Sequence, residues 1–365
     1  MSRRRCGQFV IGEFSGIKDF GSSLGLSIGL FCLLSLPTHS IDINKLPVVE
    51  EVQAGNINFS QSNNSLTVNS LSSKGIINYQ SFDVGKNATV NFNLPSSDAA
   101  ILNRVTTNNP SQIYGSINSN GHVFLVNPSG ILFGSSAQVN VGGLTASTLG
   151  LNNKDFLEGN YVFKNNTNAG IRNEGNLRSL DKGSINLISS AIENTGKIEA
   201  PNGQVNLLVG DSVQLHLDGN ISMNVEITES LQEKVNNFEN AILNSGEITA
   251  NSGIVRLQAE LKEALCSNII NNEGIIKAEG LTENNGVIEL ISKTGTQDGL
   301  IKNRGRISAT NELGNGGDVL IQGDSVLLTA DSQIDVSAKN KGGLIDLKTR
   351  KAKSGGGGNF QCSVL

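Results

Sequence analysis

NTGKIEAPNGQVNL, residues 194–207, joins two short phrases that return in the same order along the second half of the chain. The first phrase is Asn-x-Gly-x-apolar-x-small. It reads NEGNLRS at 173–179, NTGKIEA at 194–200, NSGEITA at 244–250, NEGIIKA at 272–278 and NRGRISA at 303–309. The second is Gly-x-apolar-x-apolar: GSINL at 183–187, GQVNL at 203–207, GIVRL at 253–257, GVIEL at 286–290 and GDVLI at 317–321. QIDVSA (333–338) with GLIDL (343–347) makes a weaker last copy, and GHVFL at 121–125 carries the second phrase into the first half. Alternate residues of a strand face the same side. Ile185 with Leu187, Val205 with Leu207, Val255 with Leu257, and Ile288 with Leu290 therefore share a face, and the Asn, Arg and Glu between them are expected to face water. Gly and Asn punctuate the strands because both reach positive φ at low cost.

Read this way, each repeat is a strand pair that cannot bury its apolar face alone, and stacking successive repeats closes one continuous core. The expected fold is all-β: a right-handed parallel β-helix with N-terminal capping strands and hydrogen-bonded ladders of Asn at equivalent turns. An antiparallel β-sandwich would also alternate, but it would not require the same two phrases in the same order. The copies are unevenly spaced, so loops of variable length must project. Residues 226–242, EITESLQEKVNNFENAI, fill one such gap, with Leu231, Val235, Phe238 and Ile242 at helical spacing. An insertion loop is the preferred reading there. A short amphipathic helix is the alternative, with LQAELKEAL at 257–265 a weaker candidate.

The 365 residues hold 42 Gly, 6 Pro, 4% aromatics and no Trp, which argues against a compact core built on large rings. With 37% apolar and only 17% charged residues, the composition reads as ordered, turn-rich β structure rather than disorder. Arg3, Arg4 and Arg5 precede an apolar stretch from Leu24 to Leu36, then Pro37 and the small residues Thr38 and Ser40, the order of a cleaved secretory signal peptide over residues 1–40. Its removal takes four basic and two acidic residues and moves the net charge from −5 to −7. A mildly acidic chain has no electrostatic footprint for nucleic acid. Cys6 and Cys32 fall in the leader. Cys266 and Cys362 are far apart, with neither a disulfide framework nor metal-ligand spacing.

In the first half, VNFNL (90–94) and QVNVG (138–142) alternate cleanly, and residues 103–150 carry two Asn-Pro turns: NPSQ at 109–112 and NPSG at 127–130. NPSG places Asn first, Pro second and Gly fourth, as a type I β-turn prefers, so a stiff turn that sets strand register is its direct reading. With SFDVG at 81–85, AAILNRV at 99–105 and ILFG directly after the second turn, residues 45–165 resemble the haemagglutination-activity domain of filamentous haemagglutinins, the exoproteins of two-partner secretion. In that family the two positions typically read NPNL and NPNG. Here Ser111-Gln112 and Ser129 replace the commoner residues and leave the turn geometry intact. The resemblance implies a secretion motif at Asn109, Pro110, Asn127, Pro128, Ser129 and Gly130. It also implies recognition by the POTRA domains of an outer-membrane TpsB-type transporter, and an adhesin or other surface interaction protein of a Gram-negative bacterium, reached through the periplasm and aimed at a receptor the sequence does not identify.

The expected organisation is a signal peptide (1–40), a two-partner secretion domain (41–165), β-helix repeats (166–349) and a flexible Gly-rich basic tail (350–365). The resembled exoproteins are usually far longer. An array without a C-terminal cap suggests a truncated or frameshifted member, or one that ends there with the tail lying over it. No nucleophile elbow, Walker loop, Rossmann fingerprint or HExxH is present, so no catalytic, cofactor or metal site is expected. His122, beside Val123 in a predicted strand, is read as solvent-facing or hydrogen-bonded. The alternative function is a carbohydrate-active β-helix enzyme, which would need clustered carboxylates in a groove.

Overall fold

The computed structural model describes residues 10–11, 41–164, 168–218, 222–233, 238–262, 265–281, 285–295, 299–355 and 359–361. The expected leader lies almost wholly outside them, and no described helix is long and apolar enough to cross a membrane.

The chain winds as a parallel β-helix with three strands to each coil. One coil runs through Asn176–Ser179, Ser184–Ser189 and Ala191–Asn194, and the next through Lys197–Glu199, Gln204–Val209 and Asn240–Asn244. The coils stack in register: Leu177 pairs with Ile198, Ile185 with Val205 and Ile192 with Ile242. All six are fully or almost fully buried in one core that extends from Leu46 to Ile345. Two of the three faces are the two repeated phrases. The third, bearing the short strands that run into each Asn-x-Gly, is what the strand-pair reading missed, because its three- to five-residue strands share no recurring phrase of their own.

The expected Asn ladder forms at the corner after that third face. Asn173, Asn194, Asn244, Asn272 and Asn303 are completely buried. Each Nδ2 donates to the Oδ1 of the next coil at 2.8, 2.8, 2.8 and 2.7 Å, and Asn303 closes the run on the carbonyl of Gly305 at 3.2 Å. One coil further, the position is Leu328, and the ladder ends. A buried amide is costly without partners, and the ladder satisfies each one only when the coils are in register.

The insertions gather over one face. Gly150–Leu151, Tyr161–Lys164, Ser212–Asp218 and Ser222–Glu229 form a four-stranded antiparallel flap. With the six-residue helix Asn153–Glu158, it encloses a second core of Phe124, Phe156, Tyr161, Phe163, Leu208 and Val213, among others. Two expectations are corrected here. The 226–242 segment contributes a flap strand and the coil strand Asn240–Asn244, with residues 234–237 outside the described set, and residues 257–261 continue the strand Ile254–Leu261; no described residue of either segment is helical. Asn186 and Asn206 do not face water. The flap packs on the outer side of their face, both are completely buried, and they continue a second polar ladder from Thr145 at 3.1 and 2.8 Å. Two cations from the early coils hold the flap in place. Lys74 Nζ donates to the Phe156 and Leu157 carbonyls at 3.0 and 2.8 Å, and Arg104 donates to the Leu151 carbonyl at 2.6 Å.

At the N-terminal end, Val48–Ala54 and Ile57–Ser62 lie antiparallel to Lys74–Ser81 and Ser65–Ser70 and close the core as capping strands. At the other end, the strand Ile345–Gly355 runs past position 350 and pairs throughout with Asp318–Thr329. Replacing Asn244 with Ala should leave the Asn194 donor and the Asn272 acceptor buried without partners. The expected loss is about 2–5 kcal/mol of unfolding free energy in urea melts. Asn176→Ala, at an exposed position one coil earlier, should cost less than about 0.5 kcal/mol.

Candidate functional site

The two Asn-Pro turns, 18 residues apart in sequence, are one structure. Asn109-Pro110 leads into the strand Ser111–Ile113, and Asn127-Pro128-Ser129-Gly130 leads into Ile131–Phe133 on the next coil; the two strands pair with Ser111 opposite Ile131. Within the second turn, Gly130 N donates to the Asn127 carbonyl at 3.1 Å and Ser129 N to Asn127 Oδ1 at 2.9 Å. Asn127 thus closes both the β-turn and an Asx-turn. Its Nδ2 then reaches back to the first turn, donating to the Asn109 carbonyl and to Ser111 Oγ, both at 2.9 Å. Gly130 returns the contact, its carbonyl accepting from Ser111 N at 3.0 Å. Gly130 has φ 113°, a conformation side chains rarely adopt, which explains Gly at the fourth position.

Burial grades across the corner. Asn127 and Ser111 are completely buried, Pro128 and Ser129 are half-buried, and Asn109 and Pro110 are exposed. The second motif forms the turn that sequence reading expected, whereas Asn109 and Pro110 lie in the irregular segment that enters Ser111–Ile113. Sequence reading did not foresee that Asn127 bridges the two motifs, nor that Ser111 is the acceptor. It also passed over Asp83, in the SFDVG segment, whose Oδ1 accepts from Gln112 N at 2.9 Å and ties the first turn to the coil before it. Burial raises the Asp83 carboxyl, opposed by that hydrogen bond and by Lys45. Asn127→Ala should lower unfolding stability by about 2–4 kcal/mol, because the Ser129 amide loses its acceptor and the corner loses two donated bonds. Asn109→Ala, on the exposed turn, should stay within about 0.5 kcal/mol in the same urea melts.

Other chemistry-bearing groups are spent on structure. His122 is hydrogen-bonded, Nε2 to Thr145 Oγ1 at 2.9 Å, with its ring over Gly143, where an added Cβ would lie 2.4 Å from Nδ1. Burial pushes this imidazole down to about 4, so the ring is neutral at neutral pH. The unfolded chain binds a proton here near pH 6.5 and the native chain does not, so stability should fall as pH drops from 6.5 toward 4, by up to about 3 kcal/mol. His122→Gln should flatten that part of the pH–stability curve. Carboxylates on the outer faces pair with cations of the adjacent coil: Arg172 with Glu193 at 2.7 Å, Arg256 with Glu289 at 2.6 Å, Lys277 with Glu247 at 3.1 Å and Lys293 with Glu260 at 2.8 Å. Among the described residues, no three His, Cys, Asp or Glu side chains gather where a metal could bind. Cys266 is half-buried and forms no disulfide among the described residues, and Cys362 lies outside them.

A single three-faced parallel β-helix, capped at its N-terminal end and bearing paired Asn-Pro turns, is the architecture of an exoprotein secretion domain. The family profile of the TPS secretion domain matches residues 46–303, and the chain belongs to that family. The match crosses position 165 without a break and ends at the last Asn of the ladder. The chain is similar to two heme/hemopexin-binding proteins of Haemophilus influenzae. One, from strain Rd, is 30% identical over 239 residues, 66% of this chain and 23% of the relative; the other is 32% identical over 273 residues, 74% and 27%. The chain therefore spans about a quarter of the length of the curated relatives it matches. Among solved structures it is similar to the HMW1 secretion domain of Haemophilus influenzae, with a TM-score of 0.74 and 29% identity, covering 87% of this chain and 84% of that one.

Proposed function

We propose that this chain is the exported member of a two-partner secretion pair. It is recognised in the periplasm by the POTRA domains of a TpsB-type outer-membrane β-barrel and delivered to the surface or surroundings of a Gram-negative bacterium, where it serves adhesion or another surface interaction. The observation that carries this reading is the TPS secretion domain match over 46–303 together with the joined Asn-Pro corner. Asn127 and Ser111 form its rigid base, and Asn109 and Pro110 are displayed above them. The capping strands add support. Val48–Ala54 and Ile57–Ser62 are largely exposed, and each pairs along one edge only among the described residues. Such an edge can join a POTRA sheet by strand addition. Outward folding then follows from the core, because apolar side chains are covered only as coils stack after exit.

The enzyme alternative draws no support from the outer acidic residues named above, which are paired coil to coil. Nor do the described residues build a site for the haem named in the relatives. His122, the His whose side chain is described, is engaged by Thr145 and packed on Gly143.

The test is export of the full chain in cells with and without a POTRA-bearing partner barrel. Secretion should require the barrel. Asn109→Ala with Pro110→Ala should reduce the secreted fraction about tenfold, equivalent to about 1.4 kcal/mol of lost recognition, while the purified variant keeps the wild-type circular dichroism and melting curve. Undiminished export without the barrel, or no binding of the chain to the POTRA domains at high micromolar concentration, would refute the proposal.

A further inference from the structure

A shallow groove of about 500 Å³ lies on the face formed by Ser65–Ser70, Thr89–Asn93, Ser116–Ser119 and Gln138–Val141. Its floor is an array of outward amides and hydroxyls. Thr67, Asn91, Asn118 and Asn140 stand in one row, in register across four successive strands, flanked by Asn93 and Asn120. No ionisable side chain lines it. Along the same row, the next two coils carry Arg178 and Glu199, which pair with each other, so the uncharged stretch is confined to the first coils. Leu180, half of its surface exposed, forms an apolar edge to the groove.

The amides are oriented but not exhausted. Asn118 Nδ2 donates to Asn91 Oδ1 at 3.0 Å, and Asn93 Nδ2 to Asn69 Oδ1 at 2.8 Å. These bonds between coils fix the carboxamide planes and leave Asn91 Nδ2, Asn118 Oδ1 and Asn93 Oδ1, with both polar side-chain atoms of Asn140, unengaged on residues that line the groove. A carboxamide sets a donor beside an acceptor, the pattern that meets two neighbouring hydroxyls. Rows repeat about every 4.8 Å along the β-helix, close to the advance per ring of an extended glycan chain. Orientation before binding lowers the entropic cost of capture. The lack of any Lys or Arg in the lining removes the means of holding a phosphate, a nucleic acid or an acidic polysaccharide.

We infer that this amide-lined groove is a binding site for a neutral, hydroxyl-rich glycan chain. The chain lies across the rows with its hydroxyls on Asn91, Asn118 and Asn140 and a C–H face of one ring against Leu180. This site is on a different face from the Asn-Pro corner's strands and does not depend on the export route.

The experiment is titration calorimetry of the full chain with three neutral hexasaccharides (cellohexaose, chitohexaose and laminarihexaose) and with hexagalacturonate as the acidic probe. At least one neutral probe should bind, with an affinity unchanged between low and high salt, as expected where no ion pair contributes. Asn140→Ala and Asn118→Ala should each weaken binding about five- to tenfold, whereas Gln333→Ala, on the same face six coils away, should not. Asn140 is exposed and its side chain makes no hydrogen bond to the protein, so its variant should melt with the wild type, which keeps the result readable if Asn118→Ala is less stable. The inference is overturned if no neutral probe binds at millimolar concentration, if only hexagalacturonate binds, or if the Asn140→Ala protein binds as the wild type does.

Discussion

A coil of this chain cannot bury its own apolar side chains; it buries them only against the coils before and after it. That dependence organises everything else. Leu177 needs Ile198, and Ile198 needs Ile248. At about 1.5–3 kcal/mol for each fully buried aliphatic side chain, the stack is stable only as a continuous array. In-register parallel pairing therefore becomes the constraint that polar groups must also meet. The Asn ladder is the polar form of the same rule: each amide is satisfied by its counterpart one coil on, and a slipped register would strand several buried amides together.

The array also explains where function-bearing features sit. Corners are the places where the backbone leaves the ladders, so they admit insertions and turns without breaking the core. One corner holds the two Asn-Pro turns. It is rigid because Asn127 spends its acceptor on its own turn and its donors on the neighbouring one. The insertion after Thr148 and the one after Val209 leave from one face and meet above it as the flap. Lys74 and Arg104, from coils made earlier in the chain, hold that flap by its carbonyls. Faces not covered by the flap carry either paired charges or, in the first coils, uncharged amides.

Much of this was legible in the residues. The repeated phrases revealed the β-helix because Gly, Asn and alternate aliphatics recur in a fixed order, and that order has no explanation in a sandwich. The Asn ladder was legible for the same reason, since the Asn that opens each Asn-x-Gly phrase must meet its copies. The Asn-Pro turns carried both a turn chemistry and a family resemblance. The flap was not legible. Its strand Ser222–Glu229 follows no repeat, and the apolar spacing downstream offered a helix only as the alternative to an insertion loop. Asn186 and Asn206 looked solvent-facing because local alternation reports which side of a strand a residue is on, not what covers that side.

By itself, then, the sequence determined the class of fold, the inward residues and the turns, because these follow from local periodicity and from the conformational freedom of Gly, Asn and Pro. Only the tertiary structure decided that each coil has three faces, that one of them is buried on both sides, and that two turns 18 residues apart share the side chain of Asn127. Those outcomes depend on contacts between segments far apart in the chain, and such contacts leave no period in the sequence to read.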